Sequence, residues 1–330
     1  MTLRLGLLGA GRIGKVHAGA IAATPGARLV AVADALPDAA TALAAAAGAE
    51  VRGVDAIMEA SDIDAVLITT PTDLHAAMIE QAARAGKAIF CEKPIDLDSG
   101  RVRACLDVVA QEGVPLMIGF NRRFDPNFME LRRRIDAGAI GEVEMVAITS
   151  RDPGPPPADY LKRSGGLFRD MTIHDFDMAR FLLGEEPVTV FASASNLVDP
   201  AIGAVGDVDS AAVVLTTASG RLCQISNSRR ATYGYDQRIE VHGSKGLASA
   251  ENLRATTVEV ADASGYRRDP LLNFFMTRYV DAYRNEIAAF IAALTGKQPM
   301  SPSGTDGLKA LILAEAAATS VRERRVVQID

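Results

Sequence analysis

The sequence predicts an α/β protein of two domains, and three observations lead to this fold class. The chain has 330 residues, which is more than one ordinary hydrophobic core holds. Short apolar runs and amphipathic stretches alternate over residues 1–120, which is typical of a parallel sheet with helices on both faces. Hairpin-linked strands and separate long helices follow in residues 121–330, which predicts an α+β domain built on a largely antiparallel sheet.

The elements of the first domain follow from the spacing of apolar residues. Buried parallel strands are nearly continuous apolar runs, and such runs occur at Leu3–Leu8, Arg28–Ala33, Asp64–Thr70, Ala88–Glu92 and Pro115–Phe120. Amphipathic stretches predict helices between them at Ile13–Ala23, Ala39–Ala47, Asp73–Ala85 and Ser99–Glu112.

The second domain has longer strands that partly alternate between apolar and polar residues. They are predicted at Glu142–Ser150, Val188–Ala194, Ser210–Thr217 and Arg221–Ser226. The Ala218–Gly220 link predicts a hairpin turn between the last two. Long helices are predicted at Met171–Leu183, Leu271–Leu294 and Gly304–Arg325.

Composition excludes several classes of protein. A formal net charge of −6 argues against a nucleic-acid surface, which needs a concentrated basic face. The chain has no apolar run of 18 residues, so we expect no membrane span and no membrane partner. It has no signal-peptide pattern at its N-terminus, and its three cysteines form no CxxC pair. Reduced thiols in a cytoplasmic protein are therefore expected.

A glycine-rich turn predicts a dinucleotide site. Gly9, Gly11 and Gly14, with Arg12 and Ile13 between them, follow a predicted strand and open a helix. In this context the first glycine permits a tight turn, the second lets the backbone approach a pyrophosphate, and the third lets the helix pack on the strand. The pyrophosphate would face the free N–H groups at the helix N-terminus. The first domain is thus predicted to be a Rossmann domain.

Asp34 ends the second predicted strand 20 residues after Gly14, where a carboxylate accepts hydrogen bonds from the ribose hydroxyls. Residues 35–37 offer no Arg or Lys for a 2′-phosphate, so NAD is predicted rather than NADP. Asp34 could otherwise simply begin a turn. Thr70 and Pro71 end a neighbouring strand at the same sheet edge, where cofactors bind. His75 faces the cofactor there, or it is a surface residue at a helix N-terminus.

Two clusters are candidates for chemistry. Glu92 ends a predicted strand and Lys93 follows it, so both are expected to contact the cofactor at this sheet edge. A lysine there can also hold a substrate hydroxyl and favour the developing alkoxide. Asp170 and His174 are four apart and share a helix face. Histidine can take the hydroxyl proton while a carboxylate orients the ring. Alternatively, Lys93 is a surface cation, and the Asp170–His174 pair is a surface ion pair or part of a metal site. We expect no metal, because no second His or Cys lies at ligand spacing.

Several motifs together resemble the glucose–fructose oxidoreductase/inositol dehydrogenase/rhizopine-catabolism (Gfo/Idh/MocA) family. The motifs are GAGRIG at 9–14, EKP at 92–94, DMTIHDFDMAR at 170–180, and YGYDQR and EVHGSKG at 233–246. The resemblance implies residues 1–120 as the NAD-binding domain and 121–330 as the substrate and oligomerisation domain. It also implies a large open antiparallel sheet, a homotetramer, and a cis Lys93–Pro94 bond.

The same resemblance implies roles for individual residues. His174 would be the general base, Asp170 its partner, and Lys93 would orient the reacting hydroxyl. Arg123 and Tyr233 would contact the substrate. Many relatives carry His and Asn where this chain has Ser150–Pro153, so Asp152 is expected to bind a hydroxyl there instead.

The expected reaction is oxidation of myo-inositol to its 2-keto form, with NAD accepting the hydride. Arg, Asp, Lys and Tyr side chains suit a small neutral polyol or cyclitol. Three alternatives remain: the same chemistry on scyllo-inositol, a pyranose sugar or a rhizopine; a non-catalytic NAD-binding sensor; and metal-dependent hydrolysis.

Overall fold

A computed structural model gives the fold for residues 2–161 and 163–329, and for Ala158 and Asp159 it gives the backbone alone. The chain forms two compact units. The first runs through Asp125 and includes Asp281–Leu311, and the second comprises Pro126–Val280 and the chain from Ile312 onward. This grouping differs from a single cut after residue 120. The assignment of 1–120 and 121–330 to separate functional domains stays a prediction.

Strands and helices alternate in the first unit, as the apolar pattern predicts. The elements are β1 (Leu3–Leu8), α1 (Arg12–Ala22), β2 (Ala27–Ala33), α2 (Pro37–Ala47), β3 (Glu50–Val51), α3 (Val54–Glu59), β4 (Ala65–Ile68), α4 (His75–Arg84), β5 (Ala88–Glu92), α5 (Ser99–Glu112) and β6 (Leu116–Gly119). Short 3₁₀ turns occupy Thr72–Leu74 and Asn121–Phe124.

These strands form one six-stranded sheet in the order β3-β2-β1-β4-β5-β6, and every pair in it is parallel. This is the Rossmann order, in which a ligand binds beyond the carboxyl ends of the strands where the order reverses. All four residues of β4 are buried, as expected for a central strand covered on both faces. The predicted dinucleotide-binding fold is confirmed.

A late segment of the chain completes the first unit. The helix α11 (Val280–Leu294) belongs to it from Asp281 on, and Phe290 of that helix contacts Phe90 of β5 edge-on, with ring centroids 5.7 Å apart. Ser303 forms an antiparallel bridge with Met117, and the amide of Ile118 donates to the carbonyl of Pro302 at 3.0 Å. The segment therefore covers part of the open edge of β6.

The second unit contains most of the remaining elements. In chain order they are α6 (Pro126–Asp136), β7 (Val143–Arg151), α7 (Ala158–Leu161), α8 (Ile173–Leu183), β8 (Pro187–Ser195), α9 (Pro200–Ala204), β9 (Ser210–Thr217), β10 (Leu222–Ser228), β11 (Asp236–Gly243), β12 (Gly246–Ala250), β13 (Glu259–Asp262), β14 (Gly265–Arg268), α10 (Phe275–Arg278), α11 (Val280–Leu294), α12 (Gly304–Glu323) and β15 (Val327–Gln328). Of these, α11 packs with the first unit from Asp281 on, and α12 belongs to it up to Leu311.

The main sheet of the second unit has the order β12-β11-β7-β10-β9-β8-β15. Only β7 and β10 pair in parallel, so the sheet is mainly antiparallel, as predicted. One face is buried, with α8 against it, and the other leaves large apolar side chains exposed. These include Met145, Phe191, Val214, Leu222 and Leu247.

Two predicted helices were wrong in detail, and several strands, including β3, β11, β12 and β15, were not predicted. The predicted helix Leu271–Leu294 is two helices, α10 and α11. The predicted helix Met171–Leu183 begins as a π-helical turn at Phe168–Thr172, and its α-helical part starts at Ile173. The hairpin β13–β14 was missed, because its exposed residues carry no apolar pattern. Within residues 2–161 and 163–329, none of the helices has the length and hydropathy to cross a membrane.

Candidate active site

The glycine turn between β1 and α1 has the backbone that the dinucleotide prediction requires. Gly9 has a φ of +107°, and a Cβ there would lie 2.7 Å from the carbonyl of Thr69. A Cβ on Gly14 would lie 2.0 Å from the oxygen of Gly9. Nothing in the described chain lies within 4 Å of a Cβ placed on Gly11, so this glycine keeps the space above the turn open. The residues therefore fit a bound pyrophosphate.

Asp34 connects the glycine turn to the end of β2. Its Oδ2 accepts a hydrogen bond from the amide of Ala10 at 2.5 Å, and its Oδ1 accepts one from the amide of Leu36 at 2.8 Å. The residue is half-buried, so part of the carboxylate is accessible to a ligand. Its position at the end of the strand suits hydrogen bonds from the ribose hydroxyls.

His75 joins the ends of two neighbouring strands of the sheet. Its Nε2 lies 2.7 Å from the carbonyl oxygen of Thr70, and its Nδ1 lies 2.7 Å from that of Pro94. The side chain is buried, so it is not the surface residue of the alternative interpretation. Burial lowers the pKa of His75, although both carbonyl bonds oppose this. Contact of Thr70, Pro71 and His75 with the cofactor stays a prediction.

Lys93 follows the last residue of β5, and its peptide bond to Pro94 is cis, as the resemblance implies. The preceding residue, Glu92, points into the interior, where its Oε1 lies 2.6 Å from Nε2 of His17. Lys93 itself is half-buried. Glu92 is thus part of the interior of the first unit, whereas its contact with a cofactor stays a prediction.

A second carboxyl group, from Glu286 of α11, lies close to Glu92. It is fully buried, and neither of its oxygens has a hydrogen-bond partner among the described residues. Burial raises the pKa of Glu286 well above its usual value, and repulsion from Glu92 adds to this. We therefore expect the neutral acid at Glu286.

Arg123, the predicted substrate-binding arginine, lies in the 3₁₀ turn after β6. Its Nη2 is 3.0 Å from Oδ1 of Asp306, and its side chain is 10% exposed. Asp306 also accepts bonds from the amide and hydroxyl of Ser303. This pairing fixes the guanidinium, and any substrate contact would use the donors that face away from Asp306.

In the second unit, Asp170 lies in the π-helical turn that precedes α8. Its Oδ1 accepts a hydrogen bond from the hydroxyl of Tyr160 at 2.8 Å, and its Oδ2 lies 3.4 Å from both terminal nitrogens of Arg229. About half of Tyr160 is exposed, but burial of its hydroxyl end and the charge of Asp170 raise the pKa of the phenol. Tyr160 therefore acts as a donor to the carboxylate.

His174 is half-buried in the first turn of α8, whereas its neighbours Ile173 and Asp175 are fully buried. Asp175 accepts a 2.8 Å hydrogen bond from Nδ2 of Asn227. Asp177, which the helical spacing placed near the same face, is buried and lies 3.6 Å from Arg180. Of these carboxylates, Asp175 and Asp177 are structural, and Asp170 remains the candidate partner of His174.

Tyr233 and Asp152 lie near the ends of two paired strands, β11 and β7. The hydroxyl of Tyr233 donates to Asp236 at 2.7 Å and accepts from Arg151 at 3.1 Å. Partial burial and the bond to Asp236 raise the pKa of this tyrosine. The amide of Asp152 donates to the carbonyl of Ser228 at 2.9 Å. Both stay predictions as substrate contacts.

Sequence reasoning missed four residues that support the candidate site: Tyr160, Asp207, Asn227 and Arg229. A short basic cluster, Arg229–Arg230, was the only signal for one of them. Within this cluster Arg229 is buried, with only 1% of the residue exposed. Taken separately, the first unit offers a dinucleotide cradle with a lysine at its sheet edge, and the second offers a histidine in the first turn of α8 and a supported carboxylate in the π-helical turn before it.

Family models match most of the chain. Residues 3–120 match a model described as "Oxidoreductase family, NAD-binding Rossmann fold", and residues 128–249 match "GFO/IDH/MocA C-terminal domain". An inositol 2-dehydrogenase of Rhizobium meliloti (strain 1021) is 67% identical over 329 residues, which span 100% of both chains.

Solved structures agree with this match. A myo-inositol dehydrogenase from Corynebacterium glutamicum ATCC 13032 is 44% identical, with a TM-score of 0.96 over 100% of this chain and 99% of the other. A scyllo-inositol dehydrogenase from Lactobacillus casei, with bound NAD(H) and scyllo-inositol, is 30% identical. Its TM-score is 0.92 over 99% of each chain.

Proposed function

Because the chain belongs to the Gfo/Idh/MocA family of oxidoreductases, we propose that it oxidises one ring hydroxyl of myo-inositol to give 2-keto-myo-inositol. It is an NAD-dependent dehydrogenase, since its first unit carries the NAD-binding Rossmann fold. The observation that carries the substrate assignment is 67% identity, over both whole chains, to an inositol 2-dehydrogenase.

The residues of the first unit would hold the cofactor. NAD, when bound, accepts a hydride from the substrate carbon. The turn Gly9–Gly14 and the N-terminus of α1, including Arg12 and Ile13, would bind the pyrophosphate, because a helix N-terminus directs backbone N–H groups and its positive dipole end at an anion. Asp34 would accept hydrogen bonds from the ribose and repel a 2′-phosphate.

Lys93, Asp170 and His174 would act on the substrate. His174 would take the hydroxyl proton as the general base, since imidazole titrates in the right pH range. Asp170, whose carboxylate is held in place by Tyr160 and Arg229, would stabilise the imidazolium that forms. Lys93 would donate to the reacting oxygen and stabilise its developing negative charge.

Arg123, Asp152 and Tyr233 would bind the other hydroxyls of the ring. Their donors and acceptors suit a neutral polyol, and a site built for hydroxyls rejects analogues that lack them. Because Asp152 stands where many relatives carry a different pair of residues, the same chemistry on scyllo-inositol is the second candidate. A relative bound to scyllo-inositol with the same fold supports it.

The test measures NADH formation over a panel of myo-inositol, scyllo-inositol and pyranose sugars. His174→Ala should lower kcat by at least about 100-fold, since general-base catalysis contributes 10²–10⁴, while NAD binding measured by calorimetry stays unchanged. The control is Arg133→Ala, because Arg133 is an exposed side chain on α6 that has no proposed role in the site or in assembly. Turnover without a polyol preference would contradict the substrate assignment. Full activity of the His174 variant would contradict the assignment of His174 as the general base.

We also propose that the protein is a homotetramer assembled through the open face of the seven-stranded sheet. Leu247, Met145 and Leu222 lie in one cross-strand row with His242, and Phe191 pairs with Val214 in a neighbouring row. Exposed apolar surface of this extent marks an association site. Light scattering should give the mass of a tetramer for the wild type. The double variant Phe191→Asp/Val214→Asp should dissociate and give a smaller mass.

A cytoplasmic location is proposed from the cysteines. Cys91, Cys105 and Cys223 are buried free thiols. Burial raises the pKa of each, that of Cys105 to about 12, so they stay protonated and unreactive. Such thiols suit a reducing compartment.

A further inference from the structure

Arg229 is a buried cation behind the candidate catalytic carboxylate. It directly follows β10, and its amide donates to the carbonyl of Asp209 at 2.8 Å. The residue is 1% exposed, and its Nε has no hydrogen-bond partner among the described residues. A buried guanidinium stays charged, so its position must be set by neighbouring carboxylates.

Two carboxylates share this guanidinium. Nη2 of Arg229 lies 3.4 Å from Oδ2 of Asp170 and 3.9 Å from Oδ2 of Asp207. Both distances are longer than those of a tight bidentate pair, so the cation lies between the two carboxylates without being locked onto either. Arg229 can therefore offset the negative charge of Asp170 only in part. Because Asp207 shares the same guanidinium, it determines how much of the charge of Asp170 stays uncompensated.

Asp207 is held in place by the chain itself. Its Oδ1 accepts hydrogen bonds from the amides of Leu167 and Val208, at 2.9 and 2.8 Å. Gly166 passes so close that a Cβ there would lie 2.7 Å from Oδ1 of Asp207. Its Oδ2 is buried with no hydrogen-bond partner in the described chain. The loop that bears Asp207 is thus fastened to the segment that leads into Asp170.

Further charged and titratable groups of the second unit lie near this cluster, and Arg169, which precedes Asp170, lies 3.8 Å from Glu315. Tyr160 donates to the opposite oxygen of Asp170 and is neutral, and Asp152 contributes a negative charge near Tyr160. Asp175 is engaged by Asn227. Arg229 brings a positive charge to Asp170.

We propose that Arg229 and Asp207 are positioning residues that set the charge felt by His174 through Asp170, and so set the pH at which His174 acts as a base. The inference rests on the proposed function, in which His174 must be deprotonated to accept the hydroxyl proton. A lone carboxylate beside an imidazole favours its protonated form, and a nearby cation opposes this. Arg229 lowers the pH at which activity begins, and Asp207 raises it.

The experiment measures the pH profile of kcat/KM for myo-inositol oxidation by the full chain. Arg229→Met should move the midpoint of the acid limb to higher pH by about one unit, the lower end of the range for a nearby charge. Asp207→Asn should move it to lower pH, and Arg229→Lys, which keeps the charge, should leave it near the wild type. The control is Arg221→Met, because Arg221 precedes the same strand but faces Glu142 and Glu185.

The opposite signs separate a charge effect from structural damage, since damage lowers the plateau without moving the two midpoints in opposite directions. If circular dichroism shows that Arg229→Met does not fold, the pH profiles of Asp207→Asn and Arg229→Lys test the proposal instead. An active wild type whose Asp207→Asn midpoint is unmoved, or moves upward, overturns this proposal alone. A wild type that forms no NADH with any polyol overturns the proposed function as well.

Discussion

Nε2 of His17 lies 2.6 Å from Oε1 of Glu92, inside the first unit, and joins helix α1 to strand β5 by a buried polar contact. The imidazole is fully buried and meets the rings of Phe90 and Tyr283 edge-on, at centroid distances of 5.0 and 5.5 Å. Because Glu92 directly precedes Lys93, this contact holds the strand end from which the proposed catalytic lysine extends.

Replacing His17 should therefore destabilise the protein. His17→Leu leaves the buried carboxyl group of Glu92 without this hydrogen-bond partner, which costs about 1–3 kcal/mol. The melting temperature should fall by roughly 2–4 °C per kcal/mol, as measured by calorimetry. The melting temperature of His17→Gln should fall less, because glutamine keeps a side-chain donor. Equal melting temperatures for the Leu and Gln variants would contradict a stabilising role for the hydrogen bond.

Glu286→Gln should change how stability depends on pH. Burial raises the folded-state pKa of Glu286, so its contribution to stability is fully present below the unfolded pKa of about 4.3 and is lost as the pH rises towards the folded pKa. Glutamine does not titrate. The melting temperature of the variant minus that of the wild type should therefore become more positive between pH 4.5 and pH 8.

The control for this titration is Asp281→Asn, which changes an exposed carboxylate on the same helix. Its difference from the wild type should stay nearly constant over that pH range. A flat difference for Glu286→Gln as well would show that Glu286 is ionised in the folded protein.

Two glycines of the turn should respond differently to alanine. A Cβ on Gly14 would lie 2.0 Å from the oxygen of Gly9, so Gly14→Ala should lower both the melting temperature and NAD affinity. Gly11 has no protein atom of the described chain within 4 Å of its Cβ position. Gly11→Ala should keep the melting temperature but weaken NAD binding, measured by calorimetry, because the methyl group occupies space that the pyrophosphate needs. Undiminished affinity in the Gly11 variant would place the pyrophosphate elsewhere.

Asp34→Asn should shift the cofactor preference towards NADP. The substitution removes a negative charge that repels the 2′-phosphate, and we expect the ratio of kcat/KM for NADP to that for NAD to rise at least about tenfold, or 1.4 kcal/mol. Asp38→Asn, an exposed carboxylate in the first turn of α2, is the matched control. A ratio that changes equally in both variants would mean that Asp34 acts only through the overall charge.

The parallel sheet was predictable because its buried strands are continuous apolar runs, and each is followed by a helix of clear amphipathic pattern. The second unit was harder. Strands β7 to β10 were predicted from alternation and α8 as a long helix, but β11, β12 and β15 of the same sheet were missed, and exposed β13 and β14 offer no such signal. The π-helical turn at Phe168–Thr172 also has no periodicity that distinguishes it from the α-helix it precedes.

The same limit applies to the candidate site. Local spacing identified Gly9–Gly14, Asp34, Lys93 and the Asp170–His174 pair. The support of Asp170 comes from Arg229, 59 residues away in the chain, which no local pattern connects to it. His75 likewise serves as a tie between Thr70 and Pro94, and this depends on the sheet order that brings β4 and β5 together.

The discontinuity of the first unit has a consequence for its synthesis on the ribosome. Phe90 and the outer edge of β6 are complete only when Phe290 and Pro302–Ser303 have been made. Residues 126–280 are translated in between, which takes about 8–30 s at 5–20 residues per second. During this interval the nascent Rossmann sheet exposes an apolar patch and an unpaired strand edge.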